Sequence, residues 1–187
     1  PGETPGSSLS LQGIIDFTVP SGGSDGKAIH VVATENIPNL AYYGIGVANN
    51  GGGTDGLEFT FPSQSMAAGQ HYLAARSVDV MNSYMDASSV FDVVSSEGEG
   101  ITNISQNGDD AIELYMGGNL VELYGDVDVD GTGEAWEYTD SWAYKVDGAW
   151  TNGEVNTTDN TETICDASTP YPFADCSGPG CGDSWEY

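Results

Sequence analysis

The stretch AIELYMGGNLVELY, residues 111–124, is the clearest structural signal in this chain of 187 residues. Two runs that alternate apolar with polar residues, 111–115 and 120–124, flank the turn-like sequence Met116-Gly-Gly-Asn119. A β-strand turns a period of two into one buried face, and a short glycine-rich connection joins antiparallel neighbours. The stretch therefore predicts a β-hairpin with one buried face.

Similar short runs precede the hairpin. The first, 9–19, alternates apolar with polar residues except at Ile14, and it predicts a strand with one buried face. Further strand-like runs, separated by glycine-rich or polar breaks, lie at 29–33, 43–48, 57–61, 71–75 and 90–94. Segment 77–85 instead has apolar residues three and four apart behind Ser77, a suitable N-cap, and predicts a short helix. Many short strands at this spacing are typical of a β-sandwich or barrel.

The length and composition favour one domain with a leader and a tail. The 26 glycines and the low charged fraction of 17% suit a turn-rich β protein, and 39% hydrophobic residues argue against disorder. We assign residues 1–10 to a leader or donor segment and 11–150 to the sandwich. Residues 151–187 form an irregular tail that contains the cysteines. The expected fold class is all-β, with one short helix and a disulfide-stapled C-terminal tail.

The charge balance restricts the partners of the chain. Three Lys and Arg against 29 Asp and Glu give a formal net charge of −26. A field of that sign repels polyanions, so we expect no nucleic-acid partner. No window approaches about 18 uninterrupted apolar residues, so no membrane span is expected. The acidity fits a saline or extracellular setting, where dissolved cations screen self-repulsion, and we place the chain outside the cell or on its surface.

Several blocks of the sequence resemble one known family. They are Lys27-Ala-Ile-His-Val31, Leu40-Ala-Tyr-Tyr-Gly44, Phe59-Thr-Phe-Pro62, Leu73-Ala-Ala-Arg76, Asn107-Gly-Asp-Asp110 and the acidic and aromatic segment 125–144. In this order they resemble lamin-tail-like domains, in particular the bacterial branch found beside secreted nucleases and surface proteins. The resemblance covers roughly residues 11–145 and implies an immunoglobulin-like β-sandwich used for binding or assembly rather than catalysis. One departure is His30, at a position where the family often has an acidic residue.

The sharpest chemical motif is a candidate calcium loop. Asp126, Asp128, Asp130, Gly131 and Glu137 match the spacing D-x-[DN]-x-[DN]-G-x5-E, which supplies hard oxygen ligands around a sharp turn. The helices that flank such loops in EF-hands are absent from the sequence pattern. The alternative interpretation is an acidic, solvated turn in an already acidic protein. We expect calcium, if bound, to stiffen the loop rather than to take part in a reaction.

Residues suited to catalysis are scarce. The two histidines, His30 and His71, lie far apart in sequence and lack the clustered ligands of a zinc site. Glu58, Glu113 and Glu122 offer carboxylates of the kind that glycosidases pair, but their strand positions predict solvent-facing side chains. No nucleophile motif is present, so the chain is expected not to be an enzyme.

The three cysteines all lie in the tail. Pairing Cys165 with Cys176 closes a loop worth about 2.8 kcal/mol in the chain-entropy model, against about 2.2 kcal/mol for Cys176 with Cys181. That difference does not decide the connectivity. We favour Cys165–Cys176 because prolines and aromatics fill the loop between them. Cys181 is then free or bonded to another chain.

Two features point towards sugars. Asn103 and Asn156 each begin an N-glycosylation sequon, a pattern short enough to occur by chance. A carbohydrate platform is one interpretation of the aromatic residues Tyr42, Tyr43, Trp136, Tyr138, Trp142, Tyr144 and Trp150. The other interpretation, which we favour, assigns these rings to the sandwich core and to cross-strand pairs.

Three functions from different classes are consistent with the sequence. The first is a non-enzymatic structural subunit of a filament or fibre, in which the leader and strand 9–19 complete the sheet of a neighbouring copy. The second is an adhesion or carbohydrate-binding or other ligand-binding module of a larger secreted protein such as a nuclease. The third is a stand-alone hydrolase, for which no residue stands out as catalytic. We slightly favour assembly.

Overall fold

The structure is a computed structural model that describes residues 7–20 and 22–177, and it is mostly β. The ten strands are β1 Leu9–Phe17, β2 Gly26–Ala33, β3 Tyr43–Ala48, β4 Phe59–Thr60, β5 His71–Ala75, β6 Val93–Ser95, β7 Ala111–Met116, β8 Asn119–Tyr124, β9 Ser141–Val146 and β10 Ala149–Asn152. The helices are α1 Val78–Met85 and α2 Ala87–Val90, with 3₁₀ turns at Leu40–Tyr42, Asn49–Gly51, Ile101–Asn103 and Ile164–Asp166.

The strands form two sheets. The large sheet has the order β10-β9-β1-β2-β5-β6 and the small sheet the order β4-β3-β7-β8. All paired neighbours are antiparallel except β5 and β6. Side chains from both sheets meet in one buried cluster, which is consistent with an all-β sandwich.

Two local predictions are confirmed. In the β7–β8 hairpin, Gly117 and Gly118 connect the strands with φ angles of 57° and 80°. Both angles lie in the left-handed region that glycine adopts without strain. Helix α1 begins after Ser77, whose side chain accepts a hydrogen bond from the Val80 N–H. The structure adds a second helix, because the run at 90–94 divides: Val90 ends α2, and β6 starts at Val93.

The large sheet is buried on both faces. The inner core lies between the sheets and includes Leu11, Ile29, Ile45 and Leu114. The outer core lies on the other face of the large sheet, where its members are Ile15, Phe17, Val19, Ala28, Leu73, Ala75, Met81, Tyr84, Met85, Ala87, Phe91, Trp142, Ile164, Ala167 and Tyr171. Helices and tail residues therefore cover a face that an ordinary sandwich exposes to water.

Strand β1 corrects the prediction of one buried face. Its pairing with β2 shifts register between Leu11 and Gly13, which marks a β-bulge. Leu11 and Ile14 consequently belong to the inner core, whereas Ile15 and Phe17 belong to the outer core. The expectation of a single face was wrong because the extra residue reverses the alternation and because the second face is also covered.

The tail is attached to the outer core. Strand β10 crosses the expected boundary at residue 150, and in the described part of the tail beyond it the regular structure is one 3₁₀ turn. The Cys165–Cys176 disulfide is present, as predicted. Tyr171 is fully buried, and its hydroxyl lies 1.9 Å from where a Cβ on Gly13 would stand. The absence of a side chain at Gly13 therefore makes room for the tail.

Residue 181, the remaining cysteine, lies outside the described residues. Within 7–20 and 22–177, none of the helices has the length and apolar character needed to cross a membrane.

Candidate functional site

An uncharged cleft lies where the segment between β2 and β3 meets the β7–β8 turn. We call it the Tyr42 cleft; its volume is about 410 Å³, and a neighbouring pocket of about 450 Å³ shares Asn36, Ile37 and Pro38 with it. None of the described residues that line either pocket is Asp, Glu, Lys or Arg. The lining of both pockets is thus uncharged, although the chain as a whole carries a charge of −26.

The 3₁₀ turn Leu40–Tyr42 positions the exposed ring of the cleft. Asn39 caps the turn, because its side chain accepts a hydrogen bond of 3.0 Å from the Ala41 N–H. Leu40 is fully buried and anchors the turn in the inner core. The next residue but one, Tyr42, is 67% exposed, while its carbonyl accepts from the Gly117 N–H at 2.8 Å. An aromatic side chain thus stands in solvent on a turn that is fixed at both ends.

Two amide side chains in the cleft have fixed orientations. The Asn36 Oδ1 accepts from the Ala68 N–H at 2.9 Å, as the Asn39 Oδ1 does from the Ala41 N–H. A backbone donor can bond only to the oxygen of the amide, so each bond also fixes where the Nδ2 group points. Neither Nδ2 group donates to another described residue. The cleft therefore combines an aromatic surface with uncharged hydrogen-bond donors.

Among the described residues no strand pairs with the outer side of β8, which forms an open edge that begins at this cleft. Asn119 lines the cleft and is the first residue of β8, which is the last strand of the small sheet. Leu120 and Leu123 lie on β8 opposite Tyr115 and Glu113, and they are 48% and 39% exposed. An edge strand with exposed leucines is a template for pairing with another chain.

Strand β1 is arranged differently. It lies inside the large sheet and pairs with both β2 and β9 of its own chain. Its pairing with β9 is limited to Gly13–Asp16, whereas its pairing with β2 extends over the whole strand. Within the chain β1 is therefore largely paired, and β8 is the more open edge for contacts between copies.

The candidate calcium loop uses its carboxylates to hold its own turns. Asp126 accepts from the Asp128 N–H at 3.0 Å, and Asp130 accepts from the Thr132 N–H at 2.9 Å. Hydrogen bonds from Thr132 lower the pKa of Asp130. The Glu137 carboxylate accepts a hydrogen bond of 2.7 Å from the Gly133 N–H. Among the residues that the structure describes, no group of three or more His, Cys, Asp or Glu is placed to hold a metal ion, and calcium binding stays a prediction.

The three strand glutamates differ in environment. Glu113 is only 1% exposed and accepts hydrogen bonds of 2.9 Å from the hydroxyls of Thr54 and Tyr115, so the expectation that it faces solvent was wrong. Thr54 lies in the segment between β3 and β4, and the contact of this segment with Glu113 cannot be predicted from the alternation of residues along β7. Glu122 forms an ion pair with Lys145, and its other oxygen accepts from the Leu11 N–H at 2.9 Å.

Glu58 is the least constrained of the three. Its carboxylate accepts a hydrogen bond of 2.9 Å from the Val47 N–H. Burial raises its pKa, and the nearby carboxylates of Asp55, Glu113 and Asp110 act in the same direction. A raised pKa is a feature that acids in catalytic sites share with buried structural carboxylates. The bond to Val47 gives Glu58 a structural role.

The structure brings the two histidines together, which the sequence did not predict. His30 is fully buried, and its Nε2 lies 2.8 Å from the His71 Nδ1. Its Nδ1 lies 2.9 Å from the hydroxyl of Tyr171. Burial, followed by the charge of His71, lowers the pKa of His30 well below its ordinary value, and burial also lowers the pKa of His71. The histidine pair thus connects the tail to β2 and β5.

The structure also shows the exposure of the two sequon asparagines and of the aromatic residues. Asn103 and Asn156 are both exposed. Tyr138 and Trp142 are buried in the inner and outer cores, as the favoured interpretation of the aromatic residues expects. Tyr42 is the exception among those rings. The sequence feature that pointed to the cleft was therefore the pair Tyr42-Tyr43. Nothing in the sequence singled out Asn36 or Asn39.

Comparison of the chain with family models, with curated proteins and with solved structures found no match.

Proposed function

We propose that this chain is a non-enzymatic extracellular structural subunit whose copies join by strand addition at the β8 edge into a filament or fibre. In this proposal the sandwich is immunoglobulin-like and of the lamin-tail type, on the strength of the sequence blocks. The observation that supports assembly best is the open β8 edge, with Leu120 and Leu123 exposed on it.

Strand addition suits this surface for physical reasons. Unpaired backbone N–H and C=O groups of an edge strand supply affinity, and alternate side chains supply specificity. The two leucines are apolar in a surface dominated by acids, so covering them removes apolar area from water. A filament requires β8 to meet a different edge of the next copy, whereas β8 against β8 closes a dimer. Strand β10 is the last strand of the large sheet and offers such an edge.

Two further observations support the setting. The Cys165–Cys176 disulfide fits an extracellular location, because disulfides persist in oxidising compartments. Copies that each carry −26 repel one another, and salt at physiological strength screens that repulsion beyond about 8 Å. Assembly should therefore strengthen as salt is added, up to the point where screening is complete.

The test is sedimentation across protein and salt concentration, with electron microscopy of the same samples. We expect the wild-type chain to associate and the double variant Leu120→Lys/Leu123→Lys to remain monomeric. The control Ser89→Lys/Val155→Lys changes the charge equally at two exposed sites outside β8 and β10 and should associate like wild type. A wild-type chain that stays monomeric at high concentration in salt with calcium, or leucine variants that assemble normally, would overturn the proposal.

A ligand-binding module is the second candidate. The Tyr42 cleft favours it, because an exposed ring beside oriented amide donors is a surface on which a small polar molecule can bind.

A further inference from the structure

We propose that the Tyr42 cleft binds a neutral oligosaccharide. The cleft adjoins the β8 edge at Asn119, but sugar binding there does not depend on assembly.

The distribution of charge selects the class of ligand. The whole chain has a charge of −26, and its field disfavours the approach of sulfated or carboxylated glycans. No carboxylate is among the residues that line the cleft, and the Glu35 carboxylate next to it already accepts a hydrogen bond of 3.2 Å from the hydroxyl of Ser8. An uncharged ligand matches the uncharged lining of the cleft, and the field of the protein does not repel it.

The chemistry of the cleft matches a sugar ring. Tyr42 is 67% exposed, so one face of its ring is available to the C–H face of a pyranose. The capped 3₁₀ turn fixes the backbone that carries the ring, so that part of the chain need not be ordered on binding. Asn36 and Asn39 present Nδ2 groups whose orientation is already fixed by hydrogen bonds to Oδ1. Sugar hydroxyls accept hydrogen bonds from such amides without a change in charge.

The dimensions indicate more than one sugar unit. The cleft of about 410 Å³ and the adjoining pocket of about 450 Å³ share Asn36, Ile37 and Pro38, so they lie side by side. Each is within the range of about 300–1,000 Å³ that is usual for small-molecule sites. A ligand that occupies both pockets spans successive units of a chain. We therefore expect an oligosaccharide to bind more tightly than its monosaccharide.

The experiment is an NMR and calorimetric titration of the full chain with defined sugars at up to millimolar concentration. The neutral probes are cellohexaose, maltohexaose, laminarihexaose, xylohexaose and chitohexaose, each beside its monosaccharide. A heparin-derived hexasaccharide is the anionic probe. We expect at least one neutral hexasaccharide to bind and to shift resonances of the cleft residues, and we expect the anionic probe not to bind.

Two substitutions test the site itself. Tyr42→Ala should weaken the affinity about tenfold, since it removes the stacking surface. Asn39→Asp keeps the oxygen that caps the turn but replaces the Nδ2 donor with a charged acceptor, and it should also weaken binding about tenfold. Asn82→Asp is the matched control, because the Asn82 Oδ1 likewise accepts a backbone N–H, that of Ser88, at 2.8 Å outside the cleft. The control should bind like wild type.

The outcomes are decisive in either direction. Failure of all five neutral probes, equal binding of the anionic probe, or equal weakening by Asn82→Asp would overturn the proposal. Loss of self-association in Tyr42→Ala without any sugar binding would assign the cleft to contacts between copies instead. Assembly through β8 is judged separately by the leucine variants, so either proposal can fail while the other stands.

Discussion

The two cores of this molecule bury opposite faces of one sheet by different means. The inner core lies between two sheets whose strands are joined by backbone ladders, for example β3 with β7. The outer core is covered by α1 and by tail residues such as Ile164 and Tyr171. The tail beyond β10 adds no further strand within residues 153–177, so side-chain contacts and a disulfide hold it in place.

This difference predicts where the structure opens first. A strand in a sheet leaves only when several backbone hydrogen bonds break together, whereas a loop-like tail depends on a few contacts. Those contacts include Tyr171 against Gly13 and His30, and the Trp142 indole N–H, which donates to the Thr169 carbonyl at 2.8 Å. We therefore expect the outer core to open while the inner core stays closed.

The largest effect should come from Tyr171→Ala. The substitution removes a fully buried ring from the outer core and leaves His30 without its hydroxyl partner. Truncations of large buried aromatics destabilise proteins by about 3–5 kcal/mol, and we expect a loss of unfolding free energy in this range. Denaturant titration measures the loss, and hydrogen exchange locates it. Amides of α1 should lose protection, while those of β3 and β7 keep theirs in conditions where the chain is folded.

A matched substitution in the inner core gives the contrast. Tyr72→Ala also removes a fully buried tyrosine, but from the cluster between the sheets. It should lower protection in both sheets together. Equal loss of protection in α1 and β7 after Tyr171→Ala would show that the two cores open as one unit and would contradict the distinction.

The inner core was the more predictable of the two. Strands β3 and β5 and the β7–β8 hairpin could be read from the sequence, because alternation and turn glycines act within a few residues. Helix α1 was also predictable, since Ser77 and the apolar spacing behind it are adjacent in sequence. The bulge at Gly13 was not predicted, and the ring that occupies the space beside Gly13 belongs to Tyr171, which lies far away along the chain.

The Tyr42 cleft shows the same division. Tyr42 could be proposed from its type and neighbour alone, whereas its exposure depends on the burial of Leu40 beside it. Asn36 and Asn39 gained a role only when the fold paired each oxygen with a backbone donor. The histidine pair escaped prediction because β2 and β5 are neighbours in the sheet but are separated by two further strands in sequence.

The second effect in size should come from removing the disulfide. Cys165→Ser/Cys176→Ser releases the loop that carries Tyr171, with a sequence separation of 11 between the cysteines. The chain-entropy model assigns about 2.8 kcal/mol to a loop of this length, and we expect the unfolding free energy to fall by that amount. The loss should again appear in α1 amides before β7 amides. A drop in protection confined to β8 and β10 would contradict the assignment of the disulfide to the outer core.

The smallest effect is the pH dependence of the outer core. His30 has a folded-state pKa well below its ordinary value of 6.5, so the unfolded chain binds the proton more readily than the folded chain. Stability from the neutral histidine is therefore fully present above pH about 6.5 and is lost as the pH falls below that value. Each proton taken up only on unfolding lowers the unfolding free energy by about 1.4 kcal/mol per pH unit. His71, whose pKa is also lowered, adds to this slope in the same direction.

Two buried carboxylates act with the opposite sign. Burial raises the pKa values of Asp16 and Asp110, so their protonation favours the folded chain as the pH approaches their own range. The contribution of His30 to the pH dependence of the unfolding free energy must therefore be measured as the difference between wild type and His30→Phe. The aspartates are the same in both chains, so their contribution cancels. Phe keeps a ring beside Phe91 and Phe173, whose centroids lie 4.8 and 4.7 Å from that of His30.

Urea denaturation between pH 7.5 and 5.5 should show a steeper loss of unfolding free energy in wild type than in the variant, because only wild type protonates at this site on unfolding. Parallel curves would mean that His30 is protonated to the same degree in the folded and unfolded chains, and the outer core would then have no pH-dependent link between sheet and tail.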